Sequence, residues 1–401
     1  MQWASALSVQ SQLSHAFTEL KRQLTPALEF GAPDLAIVFF TPYFDAAEIA
    51  AQIQRHFGPR YLLGCSASGV IGGAREFESP INQTHIELVP ALSLTLAHLP
   101  GVEIEPFHLQ NDDLPDLDSP PQAWIERLQI TPEPAPYFIL LANTDFANLP
   151  GLLLGLDFAY GPGRTIGGIA SFQEDNILLH QGKVMGTGAA GLALKGNITM
   201  DTVVAQGCRP IGQPLSITAC NTHYLTELDD RQAIEVLSQT YHELTPEDQE
   251  LLRSNGLFLG IASTEFVEEF NQGDFLIRTV YNIDQTKGAI VIAETLRPGQ
   301  TVQFHLRDAK TAATDLQTML QRYQAQDGAP HTAGGLLFTC TGRGQHLYGH
   351  PDHDSNLFTS IVGDVPLGGF FCNGEIGPVG PTTYLHGYTS AFGLFRPKKL
   401  S

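Results

Sequence analysis

Residues 35–69 decide the fold class: Leu35-Ala-Ile-Val-Phe-Phe40 is followed, after a helical segment, by Tyr61-Leu-Leu-Gly-Cys-Ser-Ala-Ser-Gly69. The first run is continuously apolar, which is typical of a strand buried on both faces. Asp45-Ala-Ala-Glu48 is a capping-box pattern and predicts the start of a helix. The second run is a short strand that ends in a glycine-rich turn, so the segment predicts an α/β fold.

The same alternation continues along the chain. Gly64–Gly72 and Gly369–Gly377 both read G-x-x-x-x-G-x-I-G after an apolar run, which suggests two related halves. We therefore predict two related-looking domains, residues 1–210 and 211–401, with mixed β-sheets covered by helices and with glycine turns at strand ends. Further predicted strands lie at 137–142, 165–170, 257–263, 275–282, 289–294, 301–306 and 336–340.

Composition narrows the class of partner. The chain has 401 residues and a formal net charge of −20, which disfavours nucleic acid and anionic membranes. No apolar run approaches the roughly 18 residues of a membrane span. The five cysteines form no C-x-x-C pair, and the N-terminus lacks the pattern of a signal peptide. We expect a cytoplasmic protein with reduced thiols and without a disulfide framework or structural zinc.

Two glycine-rich motifs resemble catalytic or nucleotide signatures. Gly186-Thr-Gly-Ala-Ala-Gly191 matches G-x-G-x-x-G, but its flanks look like strands and no acid follows at the required distance, so we do not predict a dinucleotide site. Gly64-Cys-Ser-Ala-Ser-Gly69 nearly matches the nucleophile elbow G-x-S-x-G. A tight turn is the favoured interpretation. The alternative is a hydrolase or transferase that uses Cys65 or Ser66.

A polar cluster follows the strand that ends near Cys340. His346, His350, Asp352, His353 and Asp354 carry ligand types that suit zinc or iron, but their spacing matches no common site. Glycine and proline within the segment favour a solvated polar loop. We predict no metal-binding residue and no catalytic residue.

Arg343 and Glu375 stand out as charged residues in apolar, glycine-rich surroundings. A buried glutamate is costly unless it is paired, so a structural pair between the two is one interpretation. The other is contact with a ligand, in which Arg343 holds an anionic group and Glu375 holds an ammonium group. The two interpretations are compatible. Glycines on both loops would let a ligand reach backbone N–H groups.

An ordered series of motifs resembles the FIST family (F-box and intracellular signal transduction), with its N-terminal and C-terminal domains in tandem. The resemblance covers nearly the whole chain and implies an intracellular sensory module that binds small ligands, amino acids among them. The motifs are Leu63–Ile71, Ile166–Ser171, Gln206–Gly212, Tyr224–Asp229, Phe338–Gly344, Gly369–Pro378 and Tyr384–Thr389.

The resemblance also implies partners and a cofactor. In bacteria such modules are often fused to histidine kinases, cyclic-dinucleotide enzymes or chemotaxis receptors, and some are associated with haem and nitric-oxide sensing. No output domain is recognisable in this sequence, so we expect a separate signalling partner. We expect no cofactor, and keep a haem-binding nitric-oxide sensor and a pure interaction scaffold as alternatives. The predicted ligand contacts are Gly64, Cys65, Ser66, Arg343, Gly344, Asn373, Gly374 and Glu375.

Overall fold

A computed structural model of the chain describes residues 1–27, 31–82, 85–172, 176–264, 270, 273–327 and 329–398. The helices are α1 (Leu13–Leu24), α2 (Ala46–Phe57), α3 (Pro121–Leu128), α4 (Leu149–Tyr160), α5 (Ala233–Glu243), α6 (Pro246–Asn255), α7 (Ala309–Gln324), α8 (Gly344–Tyr348) and α9 (His353–Val362). Within this part of the chain, no helix combines the length and apolarity that a membrane span requires.

The strands alternate with these helices, and the predicted mixed α/β class is confirmed. They are β1 (Gln2–Ser8), β2 (Leu35–Phe40), β3 (Tyr61–Ser66), β4 (Gly69–Gly72), β5 (Arg75–Glu78), β6 (Ile81–Asn82), β7 (His85–Ile86), β8 (Leu92–His98), β9 (Val102–Leu109), β10 (Tyr137–Ala142), β11 (Thr165–Ile169), β12 (Leu178–His180), β13 (Lys183–Met185), β14 (Ala189–Gly196), β15 (Thr199–Gln206), β16 (Cys208–Asn221), β17 (Tyr224–Leu228), β18 (Arg231–Gln232), β19 (Leu257–Ala262), β20 (Phe275–Asp284), β21 (Ala289–Ile292), β22 (Thr301–Arg307), β23 (Gly334–Cys340), β24 (Leu367–Cys372), β25 (Glu375–Val379), β26 (Thr382–His386) and β27 (Thr389–Arg396).

The chain divides into two compact units that are not consecutive in sequence. Unit 1 comprises Met1–Val204, Gln317–Leu385 and Thr389–Ser401, and unit 2 comprises Ala205–Leu316 and His386–Tyr388. Unit 1 joins distant parts of the chain because β23, β24 and β27 share one sheet with β4, β5 and β15. The domains predicted from the sequence, residues 1–210 and 211–401, divide the chain differently from these two units, and that division stays a prediction.

Unit 1 contains three six-stranded sheets built on one plan. Their strand orders are β1-β8-β2-β3-β12-β13, β26-β25-β11-β10-β14-β9 and β15-β27-β23-β24-β4-β5. Each sheet has one parallel pair, β2–β3, β10–β11 or β23–β24. Helices lie between the two strands of each pair along the chain: α2, α4, and α8 with α9. An antiparallel strand flanks each pair on both sides.

A glycine in the second strand of each parallel pair explains the internal repeat. Gly64, Gly167 and Gly369 each lie so close to the neighbouring strand that a Cβ atom would overlap a carbonyl oxygen, that of Val38, Leu140 or Leu337 respectively. After this glycine the chain continues into the next sheet: β3 leads to β4, β24 to β25 and β11 to β12. The three sheets therefore exchange strands in a closed cycle, and the repeated glycines have a shared structural role.

Apolar strands and helices supply the core of unit 1. Every residue of β2 is buried, as its continuous apolar run predicts. The Phe39 and Phe370 rings stack with their centroids 4.7 Å apart, which packs β2 against β24. The predicted cap of α2 is confirmed, because the Asp45 side chain accepts a hydrogen bond from the Glu48 N–H at 2.8 Å.

Unit 2 is built on one antiparallel sheet with the order β16-β22-β19-β20-β21-β17-β18. An additional pairing between β16 and β17 closes six of these strands into a ring. The strands predicted at 257–263, 275–282, 289–294 and 301–306 are confirmed with shifts of one or two residues at their ends.

Candidate functional site

The glycine turns at the strand ends meet inside unit 1. Ser68, Ser171 and Asn373 each follow, by four positions, the close-packed glycine of their strand. The Ser68 N–H donates to Ser171 Oγ at 3.0 Å, and Ser171 Oγ donates to the carbonyl oxygen of Phe371. The Asn373 N–H donates to the Ile169 carbonyl at 3.0 Å. The turns after β3, β11 and β24 are therefore hydrogen-bonded to one another.

Cys65 and Ser66 lie at the end of β3 in a fully buried setting. Burial raises the pKa of the Cys65 thiol well above its usual value, which is the opposite of what a thiolate nucleophile needs. Ser66 Oγ accepts the Ile177 N–H at 2.8 Å and donates to Asn176 Oδ1 at 3.5 Å. These contacts, together with the close packing of Gly64, favour the interpretation of this segment as a tight turn.

Arg343 is fully buried and forms a two-point ion pair with Asp354. Its Nε atom lies 3.0 Å from Asp354 Oδ2, and its Nη2 atom lies 3.2 Å from Asp354 Oδ1. Burial alone would raise the pKa of Asp354, but the Arg343 charge and hydrogen bonds from His353, Arg343 and Ser390 hold it well below the usual range. The aspartate is therefore ionised, and it compensates the buried guanidinium.

A stacked aromatic pair covers one side of this ion pair. Arg343 Nη2 donates to Tyr348 Oη at 2.6 Å. The Tyr348 ring stacks on the His353 imidazole with centroids 3.5 Å apart. His353 Nδ1 lies 3.0 Å from Asp354 Oδ1, and Ser390 Oγ donates to Asp354 Oδ2 at 2.5 Å. The contacts fix both charged side chains in one orientation.

Glu375 lies close enough to Arg343 for the two charges to interact. The direct pair, which is one of the two interpretations of the sequence, is not formed. Its Oε2 atom accepts the Thr389 N–H at 3.1 Å and the Thr389 hydroxyl at 2.8 Å. Burial raises the pKa of Glu375 to about 8, while these hydrogen bonds and Arg343 oppose the rise. Arg343 instead pairs with Asp354, because that aspartate offers both oxygens to the guanidinium.

One buried polar atom on each of these residues remains unused. Arg343 Nη1 and Glu375 Oε1 have no hydrogen-bond partner among the described residues. Both side chains are excluded from solvent. Buried donors and acceptors are rarely left without partners, because each costs roughly 1–3 kcal/mol.

Two glutamates of the edge strand β5 anchor the chain around Arg343. Glu76 Oε1 accepts the Ser355 N–H at 2.7 Å, and Glu78 Oε1 accepts the Gln345 N–H at 2.6 Å. Burial raises the pKa of Glu78 to about 7. Gly344 has φ +64°, and a Cβ atom there would overlap the Glu78 carboxylate. The absence of a side chain at Gly344 thus allows α8 to lie close to β5.

Asn373 and Gly374 contribute backbone contacts. The Gly374 carbonyl accepts the Ile169 N–H at 2.9 Å, which continues the pairing of the turn with β11. The Asn373 side chain is exposed. All eight predicted contact residues belong to unit 1. Of the eight, Arg343 and Glu375 carry the unused buried polar atoms.

Sequence reasoning did not identify Asp354 as the partner of Arg343, and it missed Glu76 and Glu78. The interpretation of His346–Asp354 as a solvated loop is wrong for Asp354, which is the second residue of α9 and only 1% exposed. A signal was available in Arg343, since a buried guanidinium requires an acid nearby. Nothing in Arg75-Glu-Phe-Glu78 distinguishes its glutamates from those of a solvated edge strand. Across the described ranges, no group of three or more ligating side chains is placed to hold a metal ion.

The G-x-G-x-x-G motif does not have the structural context of a dinucleotide site. Gly186–Gly191 joins β13 to β14, so the motif opens a strand and not the helix that a dinucleotide site requires.

A separate cavity of about 190 Å³ is lined in part by Tyr137, Arg164, Lys195 and Lys398. It is smaller than the roughly 300–1,000 Å³ of typical small-molecule sites. Its small volume also does not fit haem, which needs a large apolar pocket.

Comparisons with known proteins identify relatives over nearly the full chain. A family model for the FIST N domain matches residues 34–231, and one for the FIST C domain matches residues 233–378. Uncharacterized protein Rv0628c of Mycobacterium tuberculosis is 35% identical over 395 residues, 97% of this chain and 98% of its own length. Uncharacterized protein Mb0898c of Mycobacterium bovis is 33% identical over 391 residues, 95% of each chain. The F-box/LRR-repeat protein At5g63520 of Arabidopsis thaliana is 33% identical over 85 residues, 20% of this chain and 16% of its own.

Proposed function

Because the chain belongs to the FIST family, whose domains are associated with signal transduction, we propose that it is a non-catalytic sensory protein of the cytoplasm that binds a small ligand. The ligand contacts Arg343 and Glu375. The protein signals through a separate partner, such as a histidine kinase or a cyclic-dinucleotide enzyme. We propose this partner because the resemblance to the FIST family implies it.

The observation that carries the proposal is the pair of unused buried atoms, Arg343 Nη1 and Glu375 Oε1. The rest of each side chain is anchored, Arg343 by Asp354 and Tyr348 and Glu375 by Thr389. A ligand would therefore meet groups that are already oriented, which reduces the entropy lost on binding. A molecule with one acceptor and one donor would satisfy both atoms.

An amino acid has the chemistry that this pair requires. Its carboxylate would accept hydrogen bonds from Arg343 Nη1, and its ammonium group would donate to Glu375 Oε1. Since burial raises the pKa of Glu375 to about 8, the free protein holds a proton there at neutral pH. An ammonium group favours the ionised carboxylate, so binding at pH 7 should release a proton.

Thermal unfolding with a panel of amino acids tests the proposal. A ligand present at about 100 times its Kd adds about 2.7 kcal/mol to the free energy of unfolding. We expect at least one amino acid to raise the melting temperature, and its amide or its analogue without the amine to have no effect. Glu375→Gln should reduce the stabilisation to about half or less, because the amide lacks the charge that holds the ammonium group and a tenfold weaker affinity leaves about 1.4 kcal/mol at the same ligand concentration.

The matched control is Arg164→Gln, which removes a cation from the separate cavity. This variant should respond to the ligand like the wild type. An absence of stabilisation by every member of the panel would contradict the proposal. A response that Arg164→Gln abolishes and Glu375→Gln preserves would place binding at the cavity and would also contradict it.

A further inference from the structure

Two cysteines that form no disulfide occupy the last positions of neighbouring parallel strands. Cys340 ends β23 and Cys372 ends β24, and the two residues are direct partners in the register. Side chains of such partners lie on the same face of the sheet. Paired strands are about 4.8 Å apart, which falls within the range of about 4.4–6.8 Å between the Cα atoms of a disulfide.

The surroundings of the two sulfur atoms differ. Cys340 is half-buried, whereas Cys372 is completely buried. The Gly342 N–H points at Cys340 Sγ from 3.5 Å, and the Arg343 charge interacts with the same thiol. Of the two thiols, Cys340 is the one that a peroxide can reach, because Cys372 is completely buried. Accessibility therefore favours Cys340 as the first residue to be oxidised.

Cys372 is placed to react second. Its register partner is Cys340 on the same face of the sheet, so the two residues are direct neighbours. Burial raises the pKa of the Cys372 thiol well above its usual value, which protects it from direct oxidation.

We propose that Cys340 and Cys372 form an oxidation site for hydroperoxides and close into a disulfide. The Cys340 thiolate attacks the peroxide oxygen, the O–O bond breaks, and an alcohol or water leaves with the proton of the thiol. Cys340 is then a sulfenic acid. The Cys372 sulfur then attacks the Cys340 sulfur, the S–O bond breaks, and the proton of the Cys372 thiol passes to the departing oxygen, which leaves as water as the disulfide forms. Two thiols are oxidised and one hydroperoxide is reduced.

Peptide mapping after oxidation tests the site. The reduced full-length protein is treated with hydrogen peroxide, quenched with N-ethylmaleimide and digested with trypsin without reduction. Trypsin cleaves after Arg343 and therefore places the two cysteines on separate peptides. We expect a linked peptide that joins Cys340 to Cys372. Alkylation of the denatured protein should fall from five thiols to three.

Three variants complete the test. Cys340→Ser and Cys372→Ser should both lose the linked peptide, and Cys372→Ser should accumulate a sulfenic acid at Cys340 that dimedone traps. Cys220→Ser is the matched control, since it removes a half-buried thiol of unit 2 and should keep the link. If Cys372→Ser does not fold, the peptide map of the wild-type protein still shows whether Cys340 and Cys372 become linked. Absence of the linked peptide overturns the proposal, whether Cys340 stays reduced, becomes overoxidised or pairs elsewhere.

Discussion

The guanidinium of Arg343 and the carboxylate of Asp354 form a two-point ion pair, with Nε–Oδ2 3.0 Å and Nη2–Oδ1 3.2 Å, and the two residues are 0% and 1% exposed. The pair links the turn after β23 to the start of α9. A buried pair of this kind contributes little net stability, but loss of one partner leaves an uncompensated charge. The orientation of Arg343 toward the proposed ligand depends on Asp354.

Asp354→Asn should destabilise unit 1 strongly. The amide keeps the shape of the carboxylate but removes the charge that compensates Arg343, and such losses cost about 3–5 kcal/mol. Urea unfolding measures the change. Asp364→Asn is the matched control, because Asp364 is exposed just after α9, and it should alter the free energy of unfolding by less than about 0.5 kcal/mol. Equal stabilities for the two variants would show that Asp354 does not compensate a buried charge.

Glu375 should make the stability of the protein depend on pH. Burial raises its pKa from 4.5 in the unfolded chain to about 8 in the folded protein. Between these values the folded protein holds a proton that the unfolded chain has released. The contribution of Glu375 is therefore fully present below about pH 4.5 and is lost as the pH rises through about 8.

The measurement compares wild type with Glu375→Gln between about pH 5 and pH 9. The amide does not ionise, so the variant should gain stability relative to wild type as the pH rises, by at most about 1.4 kcal/mol per pH unit. Glu76 and Glu78 titrate in both proteins and largely cancel in the difference. Glu87→Gln changes an exposed side chain and should run parallel to wild type. A constant difference between Glu375→Gln and wild type would mean that Glu375 is ionised throughout.

The close-packed glycines should tolerate no side chain. Gly64→Ala and Gly369→Ala would each place a Cβ atom against the carbonyl of the neighbouring parallel strand. Overpacking of this kind costs about 1–3 kcal/mol, and more where the backbone cannot move. Gly186→Ala serves as the control, since open space surrounds that position. Urea unfolding measures the midpoints of the three variants. If Gly64→Ala and Gly369→Ala had the same midpoint as the wild type and Gly186→Ala, the shared role of these glycines would be refuted.

The sequence predicts the local elements well, because apolar runs and caps act over short distances. The buried strand at Leu35–Phe40 and the cap at Asp45 are both found where the patterns place them. The pairing of strands cannot be predicted from such local patterns. No local pattern indicates that β1 pairs with β8 or that β27 enters a sheet with β4 and β5. Such pairings depend on contacts between residues far apart in the chain.

The candidate site shows the same limit. Arg343 and Glu375 were identifiable because charges are rare in apolar, glycine-rich segments. Their partners were not, since Asp354 lies among histidines and glycines that suggest a loop, and Glu76 lies 267 residues before Arg343. The glycine repeat was visible in two strands. Its third copy at Gly167 was found only because the three sheets share one plan.

Isothermal titration calorimetry tests the central claim most directly, with the amino acid that most stabilises the wild type as the probe. We predict one saturable site per chain in wild type and in Arg164→Gln. In Glu375→Gln the affinity should be at least about tenfold weaker, because a charge-assisted hydrogen bond contributes about 1.5–3 kcal/mol. Equal affinity in wild type and Glu375→Gln would contradict the claim that a ligand is held between Arg343 and Glu375.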